Sequence, residues 1–265
     1  MKPLREFPAQ ARAALRGVLF DIDDTLTSAG KLTAQAYSAL QSLKRSGLLV
    51  IAVTGRPAGW CDHIARMWPL DGVVGENGAF YFTYDAVRRK LQQRFIVDAK
   101  TRSAQRHKLA AISAHILHEV PGCALASDQA YRAADIAIDF CEDVTPLPQA
   151  AVERIAALMR EAGLQAKISS IHVNGWFGDY DKLSTTRLFL REHFAMDLDA
   201  AKQHFVFIGD SPNDAPMFGY FPYAIGVANV RDFVGRMEQM PAYISAARCG
   251  EGFAEVAHLL IENRV

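Results

Sequence analysis

Asp21 and Asp23 directly follow the apolar run Val18-Leu19-Phe20, one residue apart. Side chains two apart on an extended chain point the same way, so both carboxylates face one crevice. At about 4 Å, two such charges repel by ~4 kcal/mol at an effective dielectric of 20. A bound cation or a proton on one of them must offset that repulsion. With the cation on Asp21 and the proton on Asp23, the pair becomes a nucleophile beside a general acid. As a bare pattern, D-x-D reads equally well as an acidic loop capping a helix, with Asp24 or Thr25 at the N-cap.

A second acidic group follows Phe205-Val206-Phe207-Ile208 as Gly209-Asp210-Ser211-Pro212-Asn213-Asp214. Oxygen donors from two separate loops suit Mg²⁺. The lack of histidine and cysteine in the set argues against zinc. Ser-Pro-Asn-Asp is also good turn chemistry and explains itself as an Asx-turn or cap. Leu49-Val50-Ile51-Ala52-Val53 ends in Thr54-Gly55-Arg56, a hydroxyl, an open backbone and a cation. Lys182, ahead of a helical stretch, offers a second positive charge. A phosphoryl group in transfer spreads negative charge over three oxygens, which such donors neutralise.

Short apolar runs that stop at charged residues read as buried strands of a parallel sheet, whose ligands bind beyond the carboxyl ends. A helix is expected over 33–46, with Ala36, Ala39, Leu40 and Leu43 at helical spacing and Gly47 as terminator. Another is expected over 61–68, then a strand with a glycine-rich exit through Glu76-Asn77-Gly78-Ala79. The alternation predicts an α/β class with a parallel, Rossmann-like sheet. After residue 82 the rhythm changes: a strand over 91–97, a helix over 100–118, the alternating run Ala134-Asp135-Ile136-Ala137-Ile138-Asp139-Phe140, a helix over 148–162 and strands near 165–169 and 171–174. This predicts an inserted α/β cap domain at 83–177 within a core made of 1–82 and 178–265. The alternation of apolar and acidic residues at 134–140 predicts a sheet with one wet face, free to cover something. The core resumes with a helix over 183–194, the strand before Asp210, a strand near 223–227 and a helix over 252–261.

The chain has 265 residues, 50% hydrophobic and 22% charged, with 29 basic and 29 acidic side chains. No basic excess announces nucleic acid as a partner. No apolar stretch approaches the ~20 residues a membrane helix needs, and residues 1–16 do not read as a secretory signal. Four scattered cysteines without a CxxC pair predict buried free thiols. Cytoplasmic residence as a monomer or homodimer is expected. No GxxxxGK[ST] or HExxH run occurs, and Gly72, Gly75 and Gly78 miss the GxGxxG spacing. His115 and His118 beside Glu119 read as a polar helix face, and Arg88, Arg89 and Lys90 as a solvated run. His172, Asn174 and Trp176 read either as sugar contacts or as packing at the domain junction.

Together the segments resemble the haloacid dehalogenase superfamily of phosphohydrolases. Asp21-Ile22-Asp23-Asp24-Thr25 looks like its DxDx[TV] motif, Thr54 its second motif, Lys182 its third and Gly209 to Asp214 its GDxxND fourth. Glu76-Asn77-Gly78-Ala79 and the α/β insert point to subclass IIB. That group includes sucrose-phosphate, trehalose-phosphate and mannosyl-phosphoglycerate phosphatases, Cof-type phosphatases and phosphomannomutases. The resemblance implies that Asp21 attacks phosphorus to form an aspartyl-phosphate. It implies that Asp23 protonates the leaving group and then deprotonates water. The implied metal set is Asp21, Asp23 through its carbonyl, Asp210 and Asp214, for Mg²⁺, with Asn213 or Asp214 near the ion or reaching it through water. The implied substrate set is Thr54, Gly55, Arg56, Asn77, Lys182 and Asn213. Two departures stand out: Asp24 replaces a glycine in the nucleophile loop, and Leu183 replaces one after the lysine, where Asp181 could pair with Lys182 instead. The expected activity is Mg²⁺-dependent hydrolysis of a small phosphorylated metabolite, a sugar phosphate by preference. The rival is a mutase whose cap grips a second phosphate through Arg88, Arg89 or Lys167. A non-catalytic regulator would have lost motif residues, and all are present.

Overall fold

Branched and aromatic runs form the centre of the computed structural model, which describes residues 1–262. The strands in chain order are β1 (Lys2–Pro3), β2 (Gly17–Phe20), β3 (Leu49–Val53), β4 (Gly72–Gly75), β5 (Phe80–Asp85), β6 (Lys90–Phe95), β7 (Ala124–Leu125), β8 (Asp135–Asp139), β9 (Gln165–Ile168), β10 (His172–Trp176), β11 (Phe205–Gly209), β12 (Ile225–Gly226) and β13 (Tyr243–Ile244). Nine of them make one sheet in the order β1-β13-β12-β11-β2-β3-β4-β5-β6, parallel up to β4 and antiparallel beyond it. β2 sits between β11 and β3, with Phe20 paired to Ile208 on one side and to Ala52 on the other. The connections leave in opposite directions from β2 and β11, so the crevice of an open α/β sheet lies where Asp21, Thr54 and Asp210 emerge.

Both faces of this sheet are covered, which is why its strands carry apolar residues without alternation. Helices Ala34–Arg45, Ala58–Met67 and Cys249–Ile261 pack on one face around Phe20, Leu40 and Phe253. Helices Lys182–Phe194 and Ala215–Tyr220 pack on the other around Phe189, Phe207 and Phe218. Each fully buried side chain of this size contributes about 2 kcal/mol.

The second sheet has four antiparallel strands in the order β7-β8-β10-β9. Helices Ala99–Glu119 and Gln149–Glu161 cover one face through Ile136, Ile138 and Val173. The alternation noted in the sequence is real, but the acidic face is not wet. Asp135 and Asp139 are 3% and 1% exposed, because that face lies on the rim of the large sheet. The boundary expected at residue 83 falls inside β5, and the strand expected in the insert pairs as β6 with β5 in the large sheet. Exposed charge in Arg88-Arg89-Lys90 marks the tip of that edge hairpin; period-two patterning cannot say which sheet a hairpin joins. The cysteines are unpaired, with Cys61 buried and Cys123, Cys141 and Cys249 half-buried rather than fully buried. No helix among the described residues is long and apolar enough to cross a membrane.

The turn after β4 holds the sheet against helix Lys182–Phe194. Gly78 has φ +111, and a Cβ there would lie 2.2 Å from the Asp181 carbonyl oxygen. The Gly78 carbonyl accepts a 2.6 Å hydrogen bond from the Thr185 hydroxyl. Only glycine allows this approach, and the approach sets where Lys182 begins its helix. Gly78→Ala is therefore expected to destabilise the protein by about 2–4 kcal/mol, read from urea unfolding midpoints against the native chain.

Candidate active site

Three strand ends and one helix start converge at the crevice. Asp21 leaves β2 with its N–H still bonded to the Ile208 carbonyl at 2.9 Å. Its carboxylate, those of Asp210 and Asp214, and their nearest oxygens lie within 4.8 Å of one another, all buried. Lys182 Nζ donates to Asp21 Oδ1 at 3.0 Å and to Asp214 Oδ1 at 2.8 Å. Asp181 does not take this lysine: it is the N-cap, accepting from the Ser184 N–H at 2.7 Å within a capping box. Leu183 packs half-buried against the core beneath, so the missing glycine does not displace Lys182.

Burial and like charge govern this cluster. Burial pushes the Asp21 carboxyl up to about 7, with Lys182 pulling it down and Asp214 and Asp23 pushing it further up. Burial, then Asp21 and Asp214, raises Asp210 well above its ordinary value. Burial opposes the Lys182 ammonium, but Asp21 and Asp214 outweigh it and hold its pKa above the usual one. One lysine against three carboxylates leaves a net negative site with oxygen donors only, which fits a hard divalent cation. Asp214 is already spoken for: Oδ1 takes Lys182, and Oδ2 accepts the N–H of Asp210 at 3.0 Å. Asp210 is oriented by the Thr25 hydroxyl at 3.1 Å and Asn229 Nδ2 at 2.9 Å.

Asp23 lies outside that acidic group. Both of its oxygens bond Arg56 Nε, at 2.9 and 3.0 Å. Arg56 was expected on phosphate; instead its guanidinium also meets Asp128 at 3.3 Å and Glu142 at 2.8 Å and lies 4.4 Å from the Trp60 ring centre. Asp128 and Glu142 belong to the insert, so Arg56 latches the two sheets together. The hydrogen bond with His172, then Arg56, depresses the Glu142 carboxyl to about 2. His172 Nε2 lies 2.9 Å from Glu142 Oε2. The Asp139 carboxylate accepts the N–H groups of Cys141, Glu142 and Asp143 at 2.7–2.9 Å, which turns the chain so that Glu142 reaches Arg56.

The Glu76-Asn77-Gly78 turn supplies the rest. Glu76 and Asn77 have φ of 43 and 53, a left-handed pair that persists only where surroundings hold it. Glu76, fully buried, accepts N–H groups from Ala58 at 2.9 Å and from Ala133, Ala134 and Asp135 at 2.8, 2.7 and 3.2 Å. It ties the start of a core helix to the edge of β8. Among the described residues, the buried Asn77 Nδ2 has no hydrogen-bond partner, and its Oδ1 faces Asn213 Nδ2 at 3.4 Å. Arg132, from the insert, donates to the Gly55 carbonyl at 3.0 Å and is held by Asp128 and Asp135. The Thr54 hydroxyl is fully buried and accepts the Arg56 N–H at 3.1 Å.

Asp24 has φ 53, the conformation for which glycine is favoured and which aspartate tolerates. Its carboxylate turns away from the acidic cluster toward Ser170, and burial raises its pKa. Trp176 is 1% exposed, bonded through Nε1 to the Tyr180 carbonyl at 3.1 Å and stacked on Tyr180, so it is junction packing. His172 and Asn174 line a small cavity at the crevice with Asp21, Asp23, Gly55 and Asn213. That cavity is about 10 Å³, room for about one water. Two larger chambers open beside Asp23 and Arg56, one of about 420 Å³ near Asp24, Glu142 and Ser170 and one of about 460 Å³ near Trp60, Trp68 and Tyr131. Arg88 and Arg89 line none of the three. Asn229, Arg132 and Glu142 sit in stretches without a motif and were not foreseen; Glu76 entered only as part of the Glu76-Asn77-Gly78-Ala79 stretch, without a role of its own.

Residues 18–114 match the family model of haloacid dehalogenase-like hydrolases. No curated protein matches the sequence. Among solved structures, the chain is similar to a Thermoplasma acidophilum protein at 18% identity and TM-score 0.69, covering 93% of this chain and 98% of that one. It is similar to the C-terminal domain of C. albicans trehalose-6-phosphate phosphatase at 14% and 0.67, covering 96% and 94%. It is also similar to sucrose-phosphatase from Synechocystis, solved with sucrose and phosphate, at 16% and 0.60, covering 93% and 98%.

The depressed carboxyl of Glu142 gives a signed expectation. Its ionised form contributes stability above the ordinary pKa of 4.5, and that contribution is lost as pH falls toward about 2. Thermal melts across that window should show Tm falling with pH less steeply in Glu142→Gln than in the native chain.

Proposed function

We propose that this chain, whose residues 18–114 match the haloacid dehalogenase-like hydrolase model, is a hydrolase of that kind and a Mg²⁺-dependent phosphatase acting on a small phosphorylated metabolite of the sugar-phosphate type. The observation that carries the reading is the convergence of Asp21, Asp210 and Asp214 on Lys182 at the strand ends. A carboxylate in that position can attack phosphorus only if its charge and that of the incoming phosphate are neutralised. Mg²⁺ held by Asp21 and Asp210, with Asp214 beside them and the Asp23 carbonyl as a further donor, would supply part of that neutralisation. Lys182 supplies more, and Asp214 aims it. Asn77 Nδ2, buried and unpartnered among the described residues, offers a donor to a phosphoryl oxygen, and Asn213 stands beside it.

An Asp21 oxygen bonds to phosphorus as the bond to the alcohol oxygen breaks, and Asp23 gives that oxygen a proton. Water then attacks the phosphoryl group, Asp23 takes back a proton, and the bond to Asp21 breaks to free inorganic phosphate. Both Asp23 oxygens are bonded to Arg56, so Arg56 must loosen its grip before Asp23 can pass a proton to the alcohol oxygen. The chamber near Asp24, Glu142 and Ser170 opens beside Asp23, and its polar lining supports a hydroxylated leaving group. The solved sucrose-phosphatase and trehalose-6-phosphate phosphatase share this fold, and their substrates support the sugar-phosphate class.

Phosphate release over a panel of phosphorylated metabolites tests the proposal. Asp21→Asn should lower kcat by at least about 10³-fold, and substantial residual turnover in a clean preparation would contradict the nucleophile's role. Chelation should abolish release and added Mg²⁺ restore it; activity indifferent to chelator would remove the cation from the reading.

A further inference from the structure

The chamber beside Trp60 differs from everything else around the site. Ile22, Leu32, Ile64 and Trp68 form its floor, and Trp60 and Tyr131 stand at its mouth. Trp60 remains 42% exposed and Tyr131 59% exposed. They come from different layers, Trp60 from the core helix Ala58–Met67 and Tyr131 from the insert. A Cβ on Gly59 would lie 2.9 Å from that of Tyr131, so the missing side chain lets the insert seat its ring against the core helix. Large aromatic surfaces left in water around a concave site mark a place for a ligand.

The chamber's position says which part of the ligand. Asp23 lines both the small cavity at the crevice and this chamber. The proton acceptor in ester cleavage is the oxygen joining phosphorus to the alcohol, so the alcohol must leave along Asp23. The chamber's charge says what the alcohol lacks. Its one guanidinium, Arg56, is bound by Asp23, Asp128 and Glu142, and its remaining imidazole is His63. Among the described residues, a second phosphate or carboxylate would find no unpaired strong cation there.

We propose that the alcohol of this enzyme's substrate carries an aromatic or similarly flat apolar group, and that this group is clasped between Trp60 and Tyr131 over the apolar floor. The inference rests on the phosphatase reading and narrows its substrate class. A sugar bearing such an aglycone satisfies both: hydroxyls toward Glu142 and Ser170, ring toward Trp60.

Calorimetric titration with two non-hydrolysable phosphonates, in Mg²⁺, tests it without turnover. Benzylphosphonate should bind the native protein at least about tenfold tighter than methylphosphonate, as burial of one ring implies. Trp60→Ala and, separately, Tyr131→Ala should each cut that ratio at least about threefold. The ratio is the readout because any loosening of Arg56 after loss of Trp60 affects both ligands alike. A native ratio near one, or a ratio unchanged in both variants, overturns the inference. Phosphate release by the native chain with a ratio near one would sink the chamber alone; absent release with a large ratio would sink the phosphatase reading alone. Binding of neither phosphonate together with absent phosphate release would sink both.

Discussion

Three carboxylates share one buried pocket, and the rest of the structure answers that fact. Unpaired, such a group would repel itself apart or take up protons. Among the described residues, Lys182 is the one basic side chain that reaches two of the three. Its place depends on a helix start fixed by Asp181, on Thr185 bonded to the turn below, and on a glycine that lets that turn approach. Thr25 and Asn229 hold Asp210 in line from the far side. A site so strongly negative is poised for a cation and for an anionic ligand delivered with it. That combination is what phosphoryl transfer requires, since charge neutralisation and position account for most of its catalysis.

The insert is joined to the core by charge as well as by chain. Arg56 reaches out from the core to Asp128 and Glu142, and Arg132 reaches in from the insert to the Gly55 carbonyl. Glu76 completes the seam by accepting backbone N–H groups from both sides. The two contacts differ in character. Arg132 and Glu76 are fully buried, and breaking either leaves an uncompensated charge, which is strongly unfavourable. Glu142 is partly exposed, so its bond to Arg56 is the weaker and the one that can open. The small cavity at Asp21, with room for about one water, keeps the buried carboxylates apart from bulk solvent.

The two chambers beside Asp23 differ in lining, one with Glu142 and Ser170 and the other with Trp60, Trp68 and Tyr131. A shared fold leaves such walls free to differ from one chain to another. Here they come from helix Ala58–Met67, the loop after β2 and the insert together. The space beside Asp23 is therefore a property of the junction rather than of the insert by itself.

Much of this was legible in the order of residues. Asp21, Asp23, Thr54, Lys182 and Asp210 each stand at the end of an apolar run or the start of a helix, and strand and helix ends are where local patterning is sharpest. The parallel core followed from the same runs, because a strand buried on both faces must be apolar throughout. The sequence also exposed the acidic stripe of β8, since alternation is local. What covers that stripe is not local: only the docking of two sheets decides that Asp135 and Asp139 are buried. The same holds for Arg56, whose partners lie 33, 72 and 86 residues away, and for the β5–β6 hairpin, whose pattern suits either sheet. Residue types determined which chemistry was available; tertiary packing decided which charges met, because an ion pair depends on distance in space and not on distance along the chain.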